Sequence, residues 1–214
     1  MQNIFLNNLL PNVFMQRTDI VSDIWKSELT LEKGKTYLVE AGSGTGKSSL
    51  CSFIYGYRSD YQGNLFFDSD DVRTFDVNKW TDIRRKHIAL LWQELRLFPE
   101  LTAMENVEIK NNLTGFQKRK KIDEWFEILG VGDKRDTLIG QMSFGQQQRV
   151  ALIRALCQPF DFILVDEPVS HLDDDNGMLM GKILLEEAKR QGAGVIATSI
   201  GKRLDIAYDN VLRL

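Results

Sequence analysis

A chain of 214 residues, 43% hydrophobic and 27% charged, has the composition of an ordinary soluble globular protein and can bury a substantial core. Its formal charge of −3 excludes a global electrostatic pull toward nucleic acid or anionic lipid. No stretch approaches the roughly 18 consecutive apolar residues of a membrane span, and the opening M-Q-N-I-F-L-N-N-L-L-P has no positive region of the secretory kind.

In chain order, strands are expected at Thr36–Glu40, Asn64–Phe67, His87–Trp92, Phe162–Val165, Gly194–Thr198 and Asn210–Leu214. Helices are expected at Gly46–Tyr55, Val77–Lys86, Lys118–Leu129, Gly145–Leu156 and Asn176–Gln191. This alternation implies an α/β fold, with a mostly parallel sheet covered by helices on both faces. No internal repeat or Pro/Gly/Ser-rich linker divides the chain, so one domain is expected over 1–214. Its middle, about 95–160, reads as nearly all helical and is expected to form an inserted sub-lobe. The basic runs Arg84-Arg85-Lys86 and Lys118-Arg119-Lys120-Lys121 read as solvated helix faces, so no nucleic-acid partner is expected. Cys51 and Cys157 lie in apolar helix-like runs and read as small buried hydrophobes of a reducing compartment. The expected location is cytoplasmic.

The first motif with chemistry is A-G-S-G-T-G-K-S-S at 41–49, which joins the strand T-Y-L-V-E to a helix. Gly42, Gly44 and Gly46, with Ser43 and Thr45 between them, let backbone N–H groups turn toward phosphate oxygens without a Cβ in the way. The helix start at Lys47, Ser48 and Ser49 adds partial positive charge. Lys47 can reach the outer phosphates, and the Ser48 hydroxyl can ligate Mg²⁺. Ala41 stands where the strict pattern has glycine. Such a site requires a carboxylate strand, and F-I-L-V-D-E-P at 162–168 supplies one. Asp166 would hold Mg²⁺ through water, and Glu167 would orient or deprotonate the attacking water. Cradle and acids together indicate a P-loop NTPase.

The stretch Q-M-S-F-G-Q-Q-Q-R-V at 141–150 carries an S-x-x-Q capping box, Ser143 to Gln146, so a helix begins there. Gly145 leaves room for an anion at that helix start. At this point the sequence resembles the ATP-binding-cassette (ABC) ATPases over nearly its whole length. A-G-S-G-T-G-K-S resembles Walker A, L-L-W-Q ending at Gln93 the Q-loop, and M-S-F-G-Q-Q-Q-R the signature. I-L-V-D-E-P resembles Walker B, and S-H-L-D at 170–173 the D-loop. L-F-P-E-L-T-A-M-E-N-V at 97–107 further resembles the subgroup serving lipoprotein release, macrolide-type efflux and cell division.

The resemblance implies ATP and Mg²⁺ as cofactors and a head-to-tail dimer with a second ABC ATPase subunit. Ser143, Gly145 and Gln146 would then contact ATP held by the partner, Gln93 would join Ser48 at Mg²⁺, and Asp173 would lie near the dimer seam. It also implies an integral membrane permease, with this subunit peripheral on the cytoplasmic face. Three features depart from the family pattern. Phe144 replaces a signature glycine, and Ser199 stands in place of the switch histidine. No aromatic residue stands clearly at the adenine position, near Thr18, where Phe14 is the nearest candidate. His171, in the D-loop stretch, reads as an ordinary loop residue, with a compensating role for the missing switch histidine as the lesser alternative. These departures keep open a regulatory, non-transport module that binds ATP and hydrolyses it slowly; a P-loop kinase lacks the expected acceptor lid.

Overall fold

The computed structural model describes residues 1–169 and 173–214. Its strands are β1 (Asn3–Pro11), β2 (Glu28–Glu32), β3 (Thr36–Glu40), β4 (Tyr61–Phe67), β5 (Asp70–Asp71), β6 (Ile88–Leu91), β7 (Phe162–Asp166), β8 (Gly194–Ser199) and β9 (Asn210–Arg213). Its α-helices are α1 (Lys47–Ile54), α2 (Val77–Lys86), α3 (Ala103–Asn111), α4 (Arg119–Ile128), α5 (Phe144–Leu156) and α6 (Asp174–Gln191).

Five strands pair in parallel in the order β6-β7-β8-β3-β9. Alternate residues of these strands enter two different cores, as the period of two requires. On one face Leu38, Ala89, Leu91, Ile163, Val165, Val195 and Ala197 join the apolar sides of α3, α4, α5 and α6. On the other, Tyr37, Val39, Ile88, Phe162, Leu164 and Ile196 join α1 and a second sheet. Every residue of β7 and β8 is buried, which suits continuous apolar runs covered on both sides.

The second sheet is antiparallel, in the order β2-β1-β4-β5, and was not anticipated. Asn64–Phe67, one of the expected strands, is the end of β4 in this sheet. β1 escapes a pattern search because asparagines interrupt it and its register shifts between Asn7 and Leu10. Asn8 takes a left-handed φ of 51° at that irregularity. Gly63 permits the close pairing opposite, since a Cβ there would lie 2.2 Å from the Asn8 carbonyl oxygen.

Between β6 and β7 the chain carries α3, α4 and α5. Helix α3 starts with a capping box, Thr102 accepting from the Glu105 N–H while the Glu105 carboxylate accepts from the Thr102 N–H. The T-x-x-E at 102–105 is the signal that would have marked it. Among the described residues, no helix is long and apolar enough to cross a membrane.

Candidate functional site

β3 ends at Glu40, and the glycine-rich turn carries the chain into α1. Gly46 is the N-cap of α1 with φ of 103°, a conformation that favours glycine. A Cβ there would also press within 3.0 Å of the Phe14 ring and 3.1 Å of Trp25. Trp25 Nε1 donates to the Thr45 carbonyl at 3.0 Å, and the Thr45 hydroxyl donates to the Gly42 carbonyl at 2.9 Å. The turn is thus braced from beneath by two aromatic rings. No side chain caps the start of α1, whose first residues Lys47, Ser48 and Ser49 line the cavity.

That cavity, of about 460 Å³, is lined on one side by Ser43, Gly44, Gly46, Lys47, Ser48 and Ser49. Gln93 and Glu167 line it too, together with Ile200 and the Val13, Phe14, Arg17 segment. The Lys47 ammonium donates to the carbonyls of Ala41 at 3.3 Å and Gly42 at 2.8 Å, and stands 3.5 Å from Glu167 Oε1. Gln93 Nε2 donates to Glu167 Oε2 at 3.3 Å. Glu167 itself has φ of 49°, a strained conformation for a residue with a Cβ. Asp166 lies behind it, 2% exposed and outside the cavity lining. Cys51 sits buried behind the turn, where burial first and the Asp166 charge second push its thiol well up, as an inert core residue requires.

The remaining expected residues lie elsewhere. Ser143 caps α5, accepting from the Gln146 N–H at 3.3 Å while the Gln146 side-chain oxygen accepts from the Ser143 N–H at 2.9 Å. The capping box read from sequence is therefore present, and neither residue nor Gly145 lines the cavity. Phe144 is 42% exposed at the first position of α5. Asp173 caps α6, and its acceptance of the Asn176 N–H holds its carboxyl below the usual range. Ser170, His171 and Leu172, the rest of the expected D-loop, lie outside the described residues.

Ser199 and Phe14 are both buried. Ser199 does not face the cavity; it is 1% exposed, and its hydroxyl accepts from the Gly201 N–H at 3.0 Å and donates to the Lys202 carbonyl at 2.8 Å. Its neighbour Ile200 lines the cavity instead. Phe14 does line it but is 6% exposed, with the Arg17 guanidinium 4.7 Å over its ring. Sequence reasoning missed Arg17, Val13 and Trp25, for which the sequence carries no motif.

The donor set suits a hard cation bound with a phosphate. The hydroxyl of Ser48, the amide of Gln93 and the carboxylate of Glu167 line the cavity, and no group of three or more His, Cys, Asp or Glu forms a cage among the described residues. Mg²⁺ is held in this way, by few protein oxygens together with those of its phosphate ligand.

The family model described as ABC transporter matches residues 25–170. The macrolide export ATP-binding/permease protein MacB of Shewanella sp. (strain ANA-3) is 33% identical over 202 residues, covering 93% of this chain and 30% of its own length. The chain thus spans under a third of that relative. The uncharacterized ABC transporter ATP-binding protein YbbA of Escherichia coli (strain K12) is 32% identical over 190 residues, covering 87% of this chain and 83% of its own. Among solved structures, the dimeric bacterial ABC transporter cassette MJ0796 superposes with a TM-score of 0.78 at 28% identity, covering 92% of this chain and 87% of that one. A post-hydrolysis dimer of the same cassette bound to ADP and Pi gives 0.77 at 27% identity. Motifs, cavity and relatives agree, and the chain belongs to the ABC transporter family as an ATP-binding domain.

Proposed function

We propose that the chain hydrolyses ATP to power a membrane transporter, associating head to tail with a second ABC ATPase subunit when ATP is bound. The observation that carries this reading is the meeting of Lys47, Gln93 and Glu167 at the uncapped start of α1, in a cavity that Ser143, Gly145 and Gln146 do not reach. In this reading the phosphate-binding half and the signature half lie on different parts of one chain. A partner copy or homologue would supply the missing half in each case. The helical stretch at about 95–160 would act as the lobe that carries the signature.

In this reading Gly42, Gly44, Gly46 and their neighbours Ser43 and Thr45 present N–H groups to the phosphates, while Lys47 moves from its own loop carbonyls onto them. Ser48, Gln93 and, through water, Asp166 would hold Mg²⁺, which when bound neutralises charge developing on the phosphates. Glu167, flanked by Lys47 and Gln93, orients the attacking water and accepts its proton. Asp173 would stand near the seam between subunits. A permease subunit would receive the resulting motion, placing the chain on the cytoplasmic face of a membrane. No nucleic acid is required.

Turnover by the purified chain, with Glu167→Gln as control, tests the proposal. The expected result is ATP hydrolysis that the substitution lowers by about 10²- to 10⁴-fold while ATP-dependent dimers accumulate. The absence of both hydrolysis and an ATP-dependent dimer from the unaltered chain, alone or with a homologous subunit, would sink it. One observation favours a second reading, a module that binds ATP and scarcely turns it over: the Ser199 hydroxyl is spent within its own loop. That reading expects little turnover from the unaltered chain and a clear rise in Ser199→His.

A further inference from the structure

Asp166 and Glu167 are neighbours in sequence, yet a third residue touches both. Thr198 on β8 stands directly opposite Asp166 in the parallel register of β7 and β8. Its hydroxyl donates to Asp166 Oδ1 at 2.6 Å and accepts from the backbone N–H of Glu167 at 3.0 Å. All three residues are buried, Thr198 at 1% exposure, Asp166 at 2% and Glu167 at 9%.

A hydroxyl has one proton and two lone pairs. Here the proton goes to Asp166 and a lone pair to Glu167, so each bond orients the other. Threonine's β-branching restricts the side chain to few rotamers, which fixes where that hydroxyl lies. The bond to Oδ1 restrains the rotation of the Asp166 carboxylate. The second bond holds the N–H of a residue whose φ of 49° lies in the left-handed region, where an L side chain is strained. Thr198 therefore grips the aspartate by its side chain and the glutamate by its backbone.

We propose that Thr198 is a positioning residue of the nucleotide site, tying the Asp166 carboxylate that would face Mg²⁺ to the backbone that aims Glu167. The proposal rests on the ATP-hydrolysing reading above. It deepens that reading by making metal binding and water activation share one hydroxyl. Thr198→Val keeps shape and removes the hydroxyl, leaving both partners buried without it. Thr198→Ser keeps the hydroxyl and loosens its rotamer.

Two readouts test it: the Mg²⁺ concentration that half-saturates binding of a non-hydrolysable ATP analogue, and kcat against KM at saturating Mg²⁺. In Thr198→Val the half-saturating Mg²⁺ should rise about tenfold and kcat fall about tenfold, the loss expected from one charged hydrogen bond. KM at saturating Mg²⁺ should change by less than about threefold, and Thr198→Ser should restore the other two values to within about threefold. A residue that only stabilises the fold would lower the melting temperature and leave the Mg²⁺ midpoint unmoved. Thr198→Val with the original midpoint and kcat, or Thr198→Ser behaving like Thr198→Val, overturns the assignment. If Thr198→Val does not fold, Thr198→Cys, with its weaker donor, should shift the midpoint in the same direction; an unshifted midpoint overturns the assignment equally. An unaltered chain that binds no nucleotide at any Mg²⁺ concentration would instead remove the functional reading beneath it.

Discussion

Lys47 and Glu167 face each other at 3.5 Å, each almost fully buried, although the chain between them spans most of the domain. Lys47 is thus held by a carboxylate as well as by its own loop carbonyls. Each residue is therefore sensitive to loss of the other. Lys47→Ala should weaken ATP binding by about 30- to 100-fold, the worth of a charged hydrogen bond. Calorimetric titration with ATP checks this, and an affinity unchanged by the substitution would remove Lys47 from the phosphate site.

Phe144 places a half-exposed ring at the first position of α5, beside the Ser143–Gln146 cap. In the proposed head-to-tail dimer its bulk would stand beside the partner's phosphate. Phe144→Gly should strengthen the ATP-dependent dimer by several-fold, measured by light scattering in the Glu167→Gln background. The glycine should at the same time cost about 0.5–1 kcal/mol of stability through lost helix propensity. A dimer unaffected or weakened would mean that the ring itself belongs to the interface.

Ser199 closes the turn after β8 with two hydrogen bonds and does not face the cavity. Ser199→Ala should therefore lower stability by about 1–2 kcal/mol and leave ATP affinity unchanged. Denaturant unfolding and nucleotide titration together separate the two effects. A loss of affinity with unchanged stability would return Ser199 to the site.

Lys110 lies in a cleft with Tyr55, Trp92, Arg96 and Arg154. Burial first, and the Arg154 charge second, lower its pKa from 10.5 to about 8. Its charged form is disfavoured by folding, so the unfolded chain binds the proton more tightly. The penalty is full below about 8 and fades as pH rises toward 10.5, so this group makes stability rise with pH across that window. Lys110→Met should stabilise the fold near neutral pH by about 1–2 kcal/mol, a figure discounted for partial exposure, and by almost nothing above the window. Thermal melts at the two pH values check it; an equal gain at both would mean that packing, not charge, is responsible.

The phosphate cradle, the D-E pair and the α5 cap were legible in sequence because each depends on neighbours within a few residues. A glycine turn needs only backbone freedom, and a capping box needs only the three-residue spacing of Ser143 and Gln146. Five helices were placed to within two residues at either end for the same local reason, their apolar periodicity. What escaped were features set by partners far along the chain. The antiparallel sheet depends on β1 pairing with β2 and β4 across a bulge that breaks the alternation. Gln93 meets Glu167 from 74 residues away, and Thr198 meets Asp166 from 32.

The sequence by itself therefore determined which chemistry the chain carries: a cradle, a lysine, paired acids and a capped signature helix, each written in a short run. Tertiary structure alone decided which of these share a cavity and which way each side chain turns. The register of β7 against β8 brings Thr198 to the acids, and the turn after β8 draws the Ser199 hydroxyl inward. Such outcomes follow from strand pairing and burial, which join residues that no local pattern relates.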